Sequence, residues 1–189
     1  VDLIENGFEV ISADNNSRST PTMLSGVEKI TGKKIKNYKV DLCNYDETRA
    51  IFEENIDIEG VIHFAAFKAV GESVEKPMLY FQNNLSSLIN VLRCIEEFKT
   101  PYFVFSSSCT VYGNPDSIPV TEDTPRKNAE SPYGLTKQMG EQMIEAFAAA
   151  NSSFKQFIKL LDAICSCADL ITVDGEFVPQ RFQIAFRIP

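Results

Sequence analysis

Tyr133 and Lys137 lie four residues apart in Ser131-Pro132-Tyr133-Gly134-Leu135-Thr136-Lys137, and Ser106-Ser107-Ser108 closes an apolar run some twenty residues earlier. A hydroxyl, a phenol and an ammonium are the parts needed to move a proton on and off an alcohol. A free tyrosine titrates near about 10, so it serves as a base at neutral pH only where positive charge is held beside it. Positions four apart share a helix face, so the Tyr133 hydroxyl and the Lys137 ammonium can converge on one pocket. Taken alone the pair reads as a solvated helix face, since both residue types are common. Its setting changes that reading. A strand ending in three serines, a turn-rich loop through Asn114, Pro115, Pro119 and Pro125, and then a helix suit a site at the carboxyl end of a parallel sheet.

The elements that must position these groups alternate. Val1 to Asn6 reads as a helix end stopped by Gly7, and Phe8 to Ala13 as a strand ending at Asp14-Asn15. A short helix precedes a strand from about Lys36 to Leu42. Asn44 or Asp46 can cap a helix running to Asn55. Gly60 to Ala66 is a short buried strand, and Pro77 opens a long helix to about Phe98, with Leu85, Leu88, Ile89, Leu92 and Ile95 at helical spacing. Tyr102 to Phe105 is the next strand, and Pro132 to Ala150 the helix that begins with Tyr133. Strands separated by helices of this length predict an α/β fold with a doubly wound parallel sheet. In such a fold an acidic residue at the end of the second strand holds the adenosine ribose of a dinucleotide. Asp14 stands at such a strand end, and it also fits a simple turn aspartate.

Composition narrows the classes. The 189 residues are 44% hydrophobic and 23% charged, ordinary for a globular domain, and the net charge of −8 opposes nucleic-acid binding. Lys33-Lys34-Ile35-Lys36 reads as a solvated turn. No apolar run approaches the length of a membrane span and no signal-peptide pattern opens the chain, so a cytoplasmic protein is expected. Five cysteines without framework spacing fit reduced thiols. Cys165-Ser166-Cys167 lies far in sequence from His63, the only histidine, so no metal site is expected, and His63 reads as structural within its apolar strand.

The stretch Val61-Ile62-His63-Phe64-Ala65-Ala66-Phe67-Lys68-Ala69-Val70-Gly71-Glu72-Ser73-Val74 closely resembles the UDP-glucose 4-epimerase family, within the extended short-chain dehydrogenase/reductase group. Asp14-Asn15, Val40-Asp41-Leu42, Gln82-Asn83-Asn84, the segment Phe105 to Gly113 and the segment Ser131 to Lys137 extend the resemblance, in order and spacing, over roughly residues 1 to 155. It implies a Rossmann-like domain that uses tightly held NAD and a UDP-sugar substrate. Tyr133 would be the base for the sugar 4-hydroxyl, Lys137 would bind the nicotinamide ribose and lower the tyrosine pKa, and Ser108 would hydrogen-bond the same sugar oxygen. Asp14 and Asn15 would hold the adenosine ribose, Asp41 and Leu42 the adenine, and Phe64, Ala65, Ala66 and Lys68 the middle of the cofactor. Asn83 and Ser106 would line the nicotinamide side. Helices 77–98 and 132–150 correspond to those through which the family forms homodimers.

The family pattern also departs from this chain. Its first strand and G-x-x-G-x-x-G turn, which receive the pyrophosphate, have no counterpart in residues 1–189, nor does its substrate domain. The expectation is therefore a domain at 1–155 truncated at both ends, followed by a tail at 156–189. The tail either forms a hairpin around Asp174-Gly175 or carries no selected fold. Without the first strand, its neighbours are expected to leave backbone groups unpaired. That predicts an impaired or inactive epimerase, and a non-catalytic remnant able only to associate is the alternative. Nucleotide-sugar 4,6-dehydratases and decarboxylases share the tyrosine and lysine. Dehydratases carry an Asp-Glu pair near the serine, where this chain has Cys109-Thr110.

Overall fold

The structure is a computed structural model that describes residues 1–19, 22–121, 123–160, 171–173, 176–178 and 184–187. Strands β1 (Glu9–Ala13), β2 (Lys36–Tyr38), β3 (Gly60–His63), β4 (Tyr102–Ser107), β5 (Lys155–Leu160), β6 (Ile171–Val173), β7 (Glu176–Val178) and β8 (Ile184–Arg187) make two sheets. The larger has the order β2-β1-β8-β3-β4-β5. β1 pairs parallel with β2, and β3, β4 and β5 pair parallel in turn.

Helices α1 (Asp2–Glu5), α2 (Thr22–Thr31), α3 (Tyr45–Glu54), α4 (Val70–Glu75), α5 (Pro77–Phe98) and α6 (Pro132–Ala150) connect the strands. Alternate strand residues point to opposite faces, and the buried side chains sort accordingly. Val61, Phe103 and Phe105 pack with Ile51 and Phe52 of α3, Leu88, Val91 and Ile95 of α5, and Ile144 of α6. Ile62, Val104 and Val10 face the other way, onto Leu3 and Ile4 of α1 and Val27 of α2. Two cores on two faces make the sheet doubly wound, as the alternation of elements predicted.

Local chemistry sets several boundaries. The Asn44 side chain accepts hydrogen bonds from the amides of Asp46 (3.1 Å) and Glu47 (3.4 Å), so it is the cap of α3. Pro77 and Pro132 each open their helix, where a missing N–H costs nothing. Gly7 has φ 91°, which ends α1. β2 is shorter than the 36–42 run suggested. α4 and the 3₁₀ turn Cys109–Tyr112 have too few residues for a periodic signal and were not foreseen.

The central position of the sheet differs from expectation. β8 lies between β1 and β3 and runs antiparallel to both, with Val10 and Gly60 opposite Phe186 and with Ser12 and Ile62 opposite Ile184. The inner edges of β1 and β3 are thus paired, and the expected unpaired backbone groups are absent from this interface. A strand in that slot satisfies the ladder in either direction, because both orientations align N–H with C=O. In the tail, β6 and β7 form an antiparallel pair with Val173 opposite Glu176. The Asp174-Gly175 turn itself lies outside the described residues, as do Cys165 and Cys167.

α6 approaches β4 and α5 closely at Gly140, where an added Cβ would stand 2.9 Å from Phe105 Cζ and 3.2 Å from Leu88 Cδ2. A Gly140→Val substitution is expected to lower stability by about 2 kcal/mol through overpacking, read as a drop in the urea midpoint. An unchanged midpoint would show that the helix can withdraw freely.

His63 is fully buried between the rings of Phe103 (6.2 Å) and Phe105 (6.1 Å). Burial, with a smaller contribution from the charge of Lys137, pushes its pKa down to about 3. The unfolded chain binds that proton near pH 6.5, so stability is full above about 6.5 and is lost as pH falls toward 3. Between pH 7.5 and 5.0 the histidine's share of that loss is about 2 kcal/mol. In urea unfolding, His63→Leu is expected to remove most of that pH dependence; an equal loss in both proteins would refute the assignment.

Candidate active site

The serines, the tyrosine and the lysine meet at the carboxyl end of β4. Ser106 and Ser107 are its last residues, and Ser108 caps the 3₁₀ turn that follows, its Oγ accepting from the Thr110 amide (3.3 Å) and hydroxyl (2.9 Å). Ser131 caps α6 by accepting from the Gly134 amide at 3.1 Å. That cap places Tyr133 and Lys137 on the helix face turned to β4. Tyr133 is 3% exposed, Lys137 4% and Ser108 0%. A Cβ on Gly134 would stand 3.2 Å from Thr110, so the start of α6 seats directly on the turn after Ser108.

The lysine has a defined geometry. Its Nζ donates to the Ser106 carbonyl at 2.5 Å and stands 4.7 Å from the Phe105 ring centroid and 6.0 Å from that of Tyr133. A buried ammonium needs such compensation, since removing it from water costs several kcal/mol. The arrangement can hold a positive charge next to a phenol, which is the condition for phenolate chemistry near neutral pH.

Two residues to which the sequence assigned no role brace this cluster. Asn84, on α5, exchanges hydrogen bonds with the Phe67 backbone (2.8 and 3.0 Å) and donates to Thr136 Oγ1 (3.1 Å). It ties the loop after β3 to α6. Asn83, the residue expected at the site, is half-buried and donates to Asn84 Oδ1 at 2.9 Å. Glu141, one turn beyond Lys137 and buried, bonds Ser107 Oγ and pairs with Arg126 at 3.1 Å. A buried polar residue at helical spacing was the available signal for both.

The remaining expected positions lie at the carboxyl ends of β1, β2 and β3. Asp14 follows β1; its Oδ1 accepts from the Asn16 amide (2.7 Å), and Asn15 Oδ1 accepts from the Ser17 amide (2.9 Å). Asp41 is exposed and accepts from the Cys43 amide at 2.9 Å. Leu42 is buried in the core with Ile51 and Phe52, and its carbonyl accepts from Asn90 (2.8 Å) and Thr48 (3.2 Å). Phe64, Ala65 and Ala66 are half-buried beyond β3, and Lys68 is exposed.

Arg18, in the loop after Asp14, pairs in bidentate fashion with Glu72 of α4 (2.6 and 3.0 Å) and stacks over Phe67 at 4.1 Å. Glu72 also accepts from the Tyr80 hydroxyl at 2.9 Å, and the Arg18 guanidinium holds its pKa down to about 2.

A dinucleotide needs donors and acceptors at both ends and an anion receptor between them. The carboxylate at Asp14 suits a ribose diol, and the ammonium at Lys137 suits the far ribose and a phenolate. The middle fits less well. The slot whose strand would lead into a phosphate-binding helix terminus holds β8, which runs in the opposite direction, so that receptor is not among the described residues. Among the described residues no group of three His, Cys, Asp or Glu side chains could hold a metal ion, and no helix is long and apolar enough to cross a membrane.

Comparison with known proteins agrees with these features. Residues 1–161 match the family described as NAD dependent epimerase/dehydratase family. A UDP-glucose 4-epimerase of Bacillus subtilis is 42% identical over 154 residues, covering 82% of this chain and 45% of that protein. One from Schizosaccharomyces pombe is 43% identical over 155 residues, 80% of this chain and 43% of its own length. Among solved structures, the UDP-glucose 4-epimerase of Bifidobacterium longum in complex with NAD+ and UDP superposes with a TM-score of 0.80 at 41% identity, covering 83% of this chain and 47% of that one. The chain thus spans about half the length of the relatives it matches. With the serine, tyrosine and lysine meeting at the end of β4 and the match running through that site, the chain belongs to the NAD dependent epimerase/dehydratase family.

Proposed function

We propose that this chain carries the cofactor-binding half of a UDP-glucose 4-epimerase, with Tyr133, Lys137 and Ser108 as its proton-transfer group. The observation that supports it most is the buried Lys137 ammonium, fixed to the Ser106 carbonyl beside the Tyr133 ring. NAD, when bound, supplies the acceptor and later the donor of the hydride at sugar C4. Lys137 holds the nicotinamide ribose and the positive charge that favours the Tyr133 phenolate. Tyr133 takes the proton from the sugar 4-hydroxyl and returns it once the keto sugar has presented its other face. Ser108 donates to the same oxygen, a role compatible with its Oγ accepting from Thr110, since the serine proton is not used in that contact. Asp14 and Asn15 hold the adenosine ribose, Asp41 borders the adenine, and Phe64, Ala65, Ala66 and Lys68 border the centre.

The antiparallel β8 supports a second element of the reading, reduced activity of the chain by itself, because among the described residues the central slot leads to no phosphate-receiving helix. Dehydratase chemistry draws less support, since Cys109 and Thr110 stand where an acidic pair would be needed. Association through α5 and α6 is also part of the proposal: Met78, Leu79, Ile89, Leu135 and Met139 are exposed on these two helices. A cytoplasmic location accords with reduced Cys43, Cys94 and Cys109.

Two measurements test this. Titration calorimetry with NAD should detect binding to the wild-type chain, roughly tenfold weaker in Lys137→Met as a charge-assisted bond is lost, and absence of wild-type binding would remove the cofactor assignments. Assay of UDP-galactose conversion should give turnover well below that of a full-length relative, and Tyr133→Phe should lower any residue of it by roughly 100-fold or more. Turnover equal to a full-length enzyme would sink the impairment.

A further inference from the structure

The Arg18 and Glu72 pair bears on a property of the cofactor site that the proton-transfer group does not determine. The loop after β1 is folded on itself: Asp14 and Asn15 cap the amides of Asn16 and Ser17, and Asn16 Nδ2 donates to Ser19 Oγ at 3.2 Å. Arg18 is thereby carried in the same turn as Asp14. In dinucleotide-binding folds an acidic residue at this strand end accepts from a free ribose 2′-hydroxyl, whereas a nearby arginine accommodates a 2′-phosphate. This loop contains one of each.

Glu72 decides which of them acts. It engages both terminal nitrogens of Arg18, at 2.6 and 3.0 Å, while Phe67 covers one face of the guanidinium at 4.1 Å. A guanidinium recognises phosphate through the same planar fork, so a phosphate could use Arg18 only by displacing the carboxylate. Glu72 is itself braced, by the Tyr80 hydroxyl at 2.9 Å and by Lys76 at 3.6 Å. The pair is partly exposed, with side-chain exposures of 45% for Arg18 and 23% for Glu72, so its contribution to stability is small. Its effect on recognition is separate from that, because it satisfies the one cation that the Asp14 turn contributes and leaves the Asp14 carboxylate to repel a dianion.

We propose that Glu72 is a specificity-determining residue that selects an unphosphorylated adenosine ribose by sequestering Arg18. The proposal rests on the reading that Asp14 holds that ribose. Glu72 acts through Arg18 and so is a positioning residue.

Calorimetric titration with NAD and with NADP tests it in the wild-type chain, Glu72→Gln, and the double variant Glu72→Gln/Arg18→Ala. The wild type should bind NAD more tightly than NADP. Glu72→Gln should narrow that preference roughly tenfold, the scale of one charge-assisted interaction, and adding Arg18→Ala should restore it. A preference unchanged in Glu72→Gln, or narrowed equally in the double variant, would overturn the proposal while leaving the ribose site intact. Failure of the wild type to bind NAD would remove the ribose reading and this inference with it. Should Glu72→Gln bind neither nucleotide, Glu72→Asp carries the test: it keeps the charge but draws the carboxylate back from Arg18 and should shift the preference in the same direction, and no shift there also counts against the proposal.

Discussion

The site depends on burying one ammonium. Lys137 is almost fully removed from water, and an uncompensated charge in that position would cost several kcal/mol. The Ser106 carbonyl, near the end of β4, compensates it by accepting from Nζ. The helix must therefore cross the strand end at close range. Gly140 and Gly134 make that distance available, one against Phe105 and Leu88, the other against Thr110. Larger side chains there would lift α6, lengthen the lysine contact and separate Tyr133 from Ser108. Packing within one turn of Lys137 thus sets where these side chains stand.

The sheet imposes a second constraint. Parallel sheets are buried on both faces and read as near-continuous apolar runs, and β3 fits this, with all four residues buried. Such a strand needs a neighbour on each edge. β4 supplies one, and β8 supplies the other from the far end of the chain. Pairing satisfies the hydrogen bonds but not the topology of a phosphate site, which requires a strand that runs toward the carboxyl edge and turns there into a helix. Backbone satisfaction and cofactor recognition are separable demands, and β8 meets the first without the second.

What could be read from the sequence follows the range of the interactions involved. α5 and α6 were legible because their apolar residues recur at helical spacing, and the Asn44 cap because it acts within three residues. Tyr133 and Lys137 were legible for the same reason, being one turn apart. Asn84, Glu141 and the Arg18–Glu72 pair were given no role, because their partners across the fold lie 15 to 54 positions away along the chain. The packing of Leu42 is of the same kind, since only α3 seated against the sheet shows that its side chain belongs to the core. β8 illustrates the same limit at greater distance, since no local pattern in the tail indicates which strands it joins.

Asn84 connects the two halves of the crevice. By bonding the Phe67 backbone and Thr136 at once, it fixes the loop after β3 relative to the helix that carries Tyr133 and Lys137. Phe67 in turn lies beneath Arg18, whose loop begins at Asp14. A continuous series of contacts therefore runs from the helix of Tyr133 and Lys137, through a buried amide and an aromatic ring, to the loop after β1. Each member is a short, directional contact, so displacement at one end must be absorbed within a few side chains. Buried amide networks of this kind rigidify a core when every member is satisfied, and Asn84 uses both its oxygen and its nitrogen. The distance between the Asp14 turn and the lysine is consequently set by the protein before any ligand arrives, which is the condition under which a dinucleotide can be gripped at both ends without reorganising the site.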